Sequence, residues 1–419
     1  MSMKISCLPV LLLLLLLLGI VHLSVAETHP GDVTVLKNIK AAVAAFLPQS
    51  SCVASWDFSR DPCDSYASEK FVCGFSCDAA NPRSKRIARL ELDASGYSGA
   101  IPRSLGNLES LVVLDISQNS FTGSIPSEIA RLRNLQKLDL SGNKLSGALP
   151  QSMAQLNKLE YLSVANNKLS GTLPVSLFSS MKDLQRLYLQ NNQFAGALPT
   201  SLSNTVNLRY FDASHNGFAD SLLFSKLPKS LYQLSLRSNA ASLTLDSPDV
   251  TRFQDLEVLD LSSNKVRGPL PSTIFLLPSL QQLNLSHNQL TSISSTDHLD
   301  FSNSQLVAFD ASHNNIRGSL PVALSRLNRL SSLSLSSNHF TSRIPDEYAK
   351  KVAADGSTAL PLARLFLDGN YLQGEVPSLF LKPLPNLISA SFTYNCLKKC
   401  PASLSFCSGS QRPDSECRY

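Results

Sequence analysis

The chain has 419 residues, a net charge of +5 and only 16% charged residues. Its Lys and Arg side chains are scattered along the length, with no basic run, which argues against nucleic acid as a partner. The pI near 8.7 would allow loose attraction to acidic polysaccharide, but an ordinary solvated surface is the plainer reading.

The first element in chain order is an export signal. Lys4 supplies the positive flank, Leu11 to Leu18 the apolar run, and Ser24-Val25-Ala26 a small-residue cleavage site, so residues 1–26 are read as a signal peptide cut after Ala26. An uncleaved anchor, tethering the chain to a membrane, is the alternative. The run from Leu8 to Val21 falls short of the roughly 20 residues that a membrane span needs. No second run of that kind comes later, so the mature product is expected to be soluble and secreted, with no membrane span and no lipid-attachment tail.

Of nine cysteines, Cys7 leaves with the signal. Cys52, Cys63, Cys73 and Cys77 stand at one end of the mature chain, and Cys396, Cys400, Cys407 and Cys417 at the other. In an exported chain an even set reads as disulfides, with each group of four open to three pairings. Zinc is the rival reading, disfavoured by export and by the lack of nearby histidines.

Residues 27–86 are read as an N-terminal cap. Val33, Leu36, Ile39 and Lys40 to Phe46 have helical spacing with Asp32 as N-cap, and Trp56 and Phe58 are placed over the open end of the first repeat.

Residues 87–395 repeat one unit. In Leu135 to Pro150, LQKLDLSGNKLSGALP, the pattern LxxLxLxxN is carried by Leu135, Leu138, Leu140 and Asn143. Alternation along a short strand turns Leu138 and Leu140 inward and Lys137, Asp139 and Ser141 outward. Asn143, both donor and acceptor, is expected to bridge adjacent turns at the point where backbone groups would otherwise go unpaired. Gly147 permits a backbone that a side chain resists, and Pro150 fixes φ. The ninth place recurs at Ser95, Asn119, Asn143, Asn167, Asn192, Asn216, Asn239, Asn264, Asn288, Asn314, Asn338, Asn370 and Asn395, about thirteen repeats in steps of mostly 23 to 26 residues. One step, from Asn338 to Asn370, is longer; DEYAKKVAADG within it predicts a short helix ending at Gly356. Residues 396–419 form a C-terminal cap. The fold class predicted is an α/β horseshoe, a leucine-rich repeat solenoid with a parallel β-sheet on its concave face and disulfide-stapled caps. Strands about 4.8 Å apart give thirteen repeats an inner arc of roughly 60 Å, a protein-sized surface.

A second pattern, GxIP or its LP variant, comes after many of the asparagines, as in TGSIP ending at Pro126, SGALP at Pro150 and RGSLP at Pro321. With the WDFSRDPC stretch from Trp56 to Cys63, this resembles the extracellular leucine-rich repeat proteins of plants: ectodomains of receptor-like proteins and receptor kinases, and polygalacturonase-inhibiting proteins. The resemblance spans nearly the whole mature chain. It implies an apoplast or cell-wall location and recognition of an extracellular protein or peptide, including a receptor kinase ectodomain or a cell-wall hydrolase. The repeats after Asn216, Asn239 and Asn288 lack the second pattern, and Ser342 replaces its glycine in TSRIP, so the convex side is expected to be less regular there. The Arg-x-Arg pair of some peptide receptors of this kind is missing, since the strand around Arg364 reads ARLFL. Kinase signatures are missing too.

Reading the fifth place down the stack gives a largely acidic file: Glu91, Asp115, Asp139, Ser163, Tyr188, Asp212, Ser235, Asp260, Asn284, Asp310, Ser334, Phe366 and Ser391. LDLS is the ordinary form in the resembling family, so this file is read as structural. Between Glu160 and Ser238 the outward places change to Tyr161, Arg186, Tyr188, Arg209, Tyr210, Asp212, His215, Tyr232 and Arg237. Tyr and Arg are the types most enriched in binding hot spots, so this is the candidate ligand patch, against the plainer reading that the tyrosines pack on one another. His287 and His313 share the eighth place on neighbouring strands, with Asp310 near, but LSHN is common in the resembling family and no metal site is assigned. Asn284-Leu285-Ser286 is a glycosylation sequon that would put a sugar on the concave face of the ninth repeat. Nothing builds a pocket with an oriented base or an oxyanion site, so neither enzyme activity nor a cofactor is expected. The function expected is secreted recognition through the concave face in cell-wall defence or signalling. Its alternatives are an anchorless signalling component acting with a membrane receptor kinase and a polygalacturonase inhibitor.

Overall fold

The computed structural model describes residues 27–43, 48–64, 73–78, 84–219, 224–245, 248–294, 299–354, 356, 359–384, 386–401 and 403–417. The signal peptide read over residues 1–26 lies outside them.

Leucine spacing dictates the architecture. In Lys137–Asp139, the central Leu138 is fully buried while Lys137 stays partly open, and a three-residue strand buries one face only if another strand covers it. Fourteen strands do so in one sheet; the first, Phe75–Asp78, is antiparallel to Arg86–Glu91, and the other thirteen are parallel in strict chain order. Fourth-place residues from Leu90 through Leu162, Phe211 and Leu283 to Leu365 are at most 2% exposed. They form one apolar column, each side chain contributing about 2 kcal/mol of burial.

Register follows the pattern without a slip. Asp115 pairs with Glu91 and with Asp139, Tyr188 with Ser163 and Asp212, and the file continues unbroken to Phe366 and Ser391. Its acidic members are structural. Asp115, Asp139 and Asp260 each accept from the backbone N–H and the hydroxyl of the serine two places on, holding the chain as it leaves the strand. The asparagines bridge turns: Asn143 donates to the carbonyls of Ile116, Leu140 and Ser141 and accepts from Phe121 N. In the first repeat, where Ser95 holds the ninth place, Asp93 instead accepts from Tyr97 and from Cys52 N of the cap.

The residues that follow each ninth place, up to the glycine of GxIP where there is one, form a second series of short strands beside the inner sheet. Where the pattern persists, six pair continuously, from Ser98–Ala100 to Gly217–Phe218. The series then breaks into smaller sheets after Phe218, after Gln289–Ile293 and after His339–Thr341, at the repeats where the pattern is missing or altered. Gly147 has a φ of 81°, and Ser342, in the glycine's place, is driven to 69°. That region is costly for a side chain.

The caps carry one correction. The N-terminal helix is Pro30–Ala42, and its N-cap is His29, whose ring accepts from Gly31 N. Asp32 is no cap: it is fully buried and accepts two bonds from Arg86 and one from Ile87 N. The Pro at the first helical position moves the start back, and the buried stripe is Val35, Leu36, Ile39 and Val43. Residues 44–47 lie outside the described set. Trp56 is buried against Phe75, and its ring N–H donates to Cys73 O. The disulfides pair Cys52 with Cys73, Cys63 with Cys77, Cys396 with Cys417 and Cys400 with Cys407.

In the long eleventh step the helix is Asp346–Val352, stopping short of Gly356, which turns with a φ of 83°. Lys351 in it is only 6% exposed and donates to the carbonyls of Leu360 and Asn328, with no carboxylate paired to it among the described residues. Burial holds its pKa down to about 8 from the ordinary 10.5. Between those values the unfolded chain binds the extra proton, so folding stability should rise with pH across that window by up to about 3 kcal/mol. Denaturant titrations at the two ends of that window should show the rise in the parent and not in Lys351→Met.

Candidate ligand-binding site on the concave face

The tyrosine and arginine patch sits where the fifth place loses its acid. Ser163, at the end of the strand that carries Tyr161, and Ala165 two places on are small, and Ser163 pairs with Tyr188 of the next strand. The register puts Tyr161, Arg186 and Tyr210 in one file at the third place. A cavity of about 530 Å³ opens there, lined by Ser141, Tyr161, Ser163, Ala165, Asn166, Arg186, Tyr188, Gln190 and Tyr210.

Its walls are held from behind. The Tyr161 hydroxyl donates to Asp139, and its ring lies 5.6 Å from that of Tyr188. Burial, with the Asp139 charge beside it, pushes the Tyr161 hydroxyl well above its ordinary pKa, so it stays a protonated donor. Burial raises Tyr188 as well. Arg186 is exposed, lies 5.4 Å over the Tyr210 ring, and makes no ion pair among the described residues. A guanidinium in that position is attracted by the face of the ring. In the same lining, Gln190 Oε1 is buried without a hydrogen-bond partner among the described residues. An aromatic trough with one unpaired cation and one unpaired amide oxygen can seat a ligand side chain and fix its orientation.

Four expected residues therefore meet: Tyr161, Arg186, Tyr188 and Tyr210. The plainer expectation holds beside them, since the rings do pack on one another. Tyr232 stands at the rim, 5.6 Å from the Tyr210 ring, and Arg209 lies beside it through a backbone bond. Asp212 is engaged by Ser214 N, and His215 and Arg237 are exposed outside the cavity. Sequence reasoning missed Gln190, Asn166 and the small floor; the signal was the departure from Asp and Ser at the fifth and seventh places.

His287 and His313 stack at 4.1 Å and nearly parallel. Their φ angles are 55° and 53°, and Asn166, Ser238 and Ser263 in the same place have positive φ too. The position therefore selects residues that tolerate a left-handed backbone. Among the described residues no group of three or more His, Cys, Asp or Glu is placed to hold a metal. Asn284 Oδ1 accepts from Ser286 N and Oγ, playing the part that aspartate plays elsewhere. A larger cavity of about 1160 Å³ lies at the C-terminal end. It carries Arg343, Lys398 and Arg412 against Asp346, Glu375 and Asp414, and Arg412 is already clamped between Tyr371 and Tyr394 at 4.0 and 4.2 Å. That cavity is part of the cap closure.

Thirteen stacked parallel turns with an asparagine ladder define a solenoid of leucine-rich repeats. Residues 86–249 match the family described as leucine-rich repeat region, 229–290 that described as leucine rich repeat, and 279–304 and 329–350 a third of the same description. The chain belongs to the leucine-rich repeat family, in the form that plant extracellular receptors carry. It is 38% identical over 68 residues to Receptor-like protein 7 of Arabidopsis thaliana, a stretch covering 16% of this chain and 7% of that protein. Among solved structures it is similar to PEPR1–AtPEP1, at 28% identity and a TM-score of 0.61, over 88% of this chain and 56% of that one. It is also similar to the plant peptide hormone receptor RGFR1 in complex with RGF2, at 25% identity and a TM-score of 0.55, over 76% of this chain and 63% of that one. The chain thus spans only a small part of that curated relative and under two thirds of these solved structures. No helix among the described residues is long and apolar enough to cross a membrane.

Proposed function

We propose that this chain is a secreted, non-enzymatic recognition module of the plant cell exterior that captures a peptide segment in the cavity formed by Tyr161, Arg186, Tyr188 and Tyr210. The observation that carries the reading is that cavity: rigid aromatic walls, an exposed unpaired guanidinium and a buried unpaired amide oxygen, on the face that a horseshoe presents. The peptide ligands of the two similar receptor structures support it. They also favour a part in signalling, with the chain handing its ligand to a membrane receptor kinase. A cavity of about 530 Å³ suits a peptide anchor better than the broad footprint that occluding a hydrolase cleft requires.

The test begins with affinity capture from extracellular fluid and a titration of the recovered ligand. Tyr188→Ala combined with Arg186→Ala should weaken binding on the order of 100-fold, the size of two hot-spot truncations. Unchanged affinity would remove the site. Inhibition of a pectinase by the purified protein at equimolar dose would replace the peptide reading with the inhibitor one.

A further inference from the structure

The second series of strands, which the concave site does not use, carries its own chemistry. Lys144, Lys168, Lys265, Arg267, Arg317 and Lys398 are exposed on the described strands of this series, against one acid, Glu375. Glu375 is already bridged to Lys399 at 2.5 Å. Lys265, Arg267 and Arg317 make no ion pair among the described residues. Their strand neighbours are neutral: Ser242 opposite Lys265, Thr244 and Gln289 opposite Arg267, and His339 opposite Arg317. A chain with a net charge of only +5 has therefore gathered unopposed cations on one flank.

We propose that this flank binds a carboxylated polysaccharide, with Lys265, Arg267 and Arg317 taking carboxylates in turn and Thr244, Gln289, Thr291 and Ser319 meeting hydroxyls between them. Placement supports a linear polymer, because the inner strands of the same repeats, Val258–Asp260, Gln282–Asn284 and Ala308–Asp310, pair in sequence about 4.8 Å apart and so set Arg267 and Arg317 two repeats from each other, roughly 10 Å along the stack. Composition separates a sugar polymer from an acidic protein. Protein interfaces are anchored by buried aromatic or large apolar side chains, and the large exposed apolar residues of the described chain all lie off these strands. What the flank offers is cations, hydroxyls and amides, which recognise a hydrophilic, charged, hydroxylated chain. Because the site is a different face from the concave one, the polymer and the captured ligand can be held together.

The experiment measures binding of the full mature chain to polygalacturonate at low ionic strength, with two triple variants. Lys265→Gln/Arg267→Gln/Arg317→Gln removes three charges from the flank. Lys158→Gln/Lys182→Gln/Lys229→Gln removes three from exposed turns leading into the inner strands, and so changes net charge equally. The first should weaken binding roughly tenfold, three exposed contacts of ordinary size, and the second should match the parent. Moderate salt should release the parent. In the parent itself, polymer should shield Lys265 from amine acylation and leave Lys158 reactive, which tests the site without any variant. Equal weakening in both triples, equal binding to polyglutamate of the same charge density, or an unshielded Lys265 would each overturn the proposal.

Discussion

Replacing Asn288 by alanine is expected to cost about 2 to 4 kcal/mol and to loosen the stack at its ninth repeat. The side chain is 8% exposed and makes four bonds. Its amide donates to the carbonyls of Leu261, Leu285 and Ser286 at 2.9 to 3.1 Å and accepts from Val266 N at 2.9 Å. Alanine leaves Val266 N buried without its partner, worth about 1 to 3 kcal/mol, and takes one of two donors from each of three carbonyls, which keep Asn264 at Leu261 O, Asn314 at Leu285 O and Ser263 N at Ser286 O. Asn288→Asp should be no better, since it keeps the acceptor but sets a charge against three carbonyls. A solenoid unfolds by neighbouring turns, so hydrogen exchange should lose protection first around Leu261 and Val266 while the end repeats keep theirs. A loss below about 1 kcal/mol would show that the ladder is dispensable.

How much could be read from the sequence depends on how local each feature is. Strand register and the fifth-place file were readable to the residue, because a repeat pairs only with its neighbours and the pattern fixes which side chain faces in. Even the interruptions of the second sheet were marked by the lost GxIP stretches. The meaning of the histidines was hidden, since nothing in LSHN announces a left-handed backbone at the eighth place. The candidate site was half legible: tyrosine and arginine stand out by type, whereas its floor is made by what Ser163 and Ala165 lack. Arg209 and Arg237 were grouped with the patch as outward residues of adjacent strands, yet Arg209 stands at the second place and Arg237 one strand beyond Tyr210, and neither lines the trough. Asp32 was misread for a related reason. A carboxylate near a helix start has an ordinary local use, and only the fold brings Arg86, 54 residues away, to its oxygens.

That contact is the second large effect. Both disulfides of the N-terminal cap join cap residues to each other, Cys52 to Cys73 and Cys63 to Cys77, so neither ties the helix to the first inner strand. Asp32 does. It is fully buried, takes Arg86 Nε and Nη2 at 3.0 Å each, and accepts from Ile87 N at 2.9 Å. The bond to Asp32 raises the Arg86 pKa further, so the guanidinium keeps its charge at any ordinary pH. Asp32→Ala strands a largely buried guanidinium and a buried N–H, and breaking such a pair from one side costs about 3 to 5 kcal/mol. Asp32→Leu with Arg86→Met should recover most of that, because removing both charges removes the unpaired one. Denaturant titration of the oxidised protein would measure both, and a dye for exposed apolar surface should report the opened first repeat in Asp32→Ala alone. If Asp32→Ala were as stable as the parent, the cap would be held by apolar packing of Val35, Leu36 and Ile39, and the ion pair would be incidental.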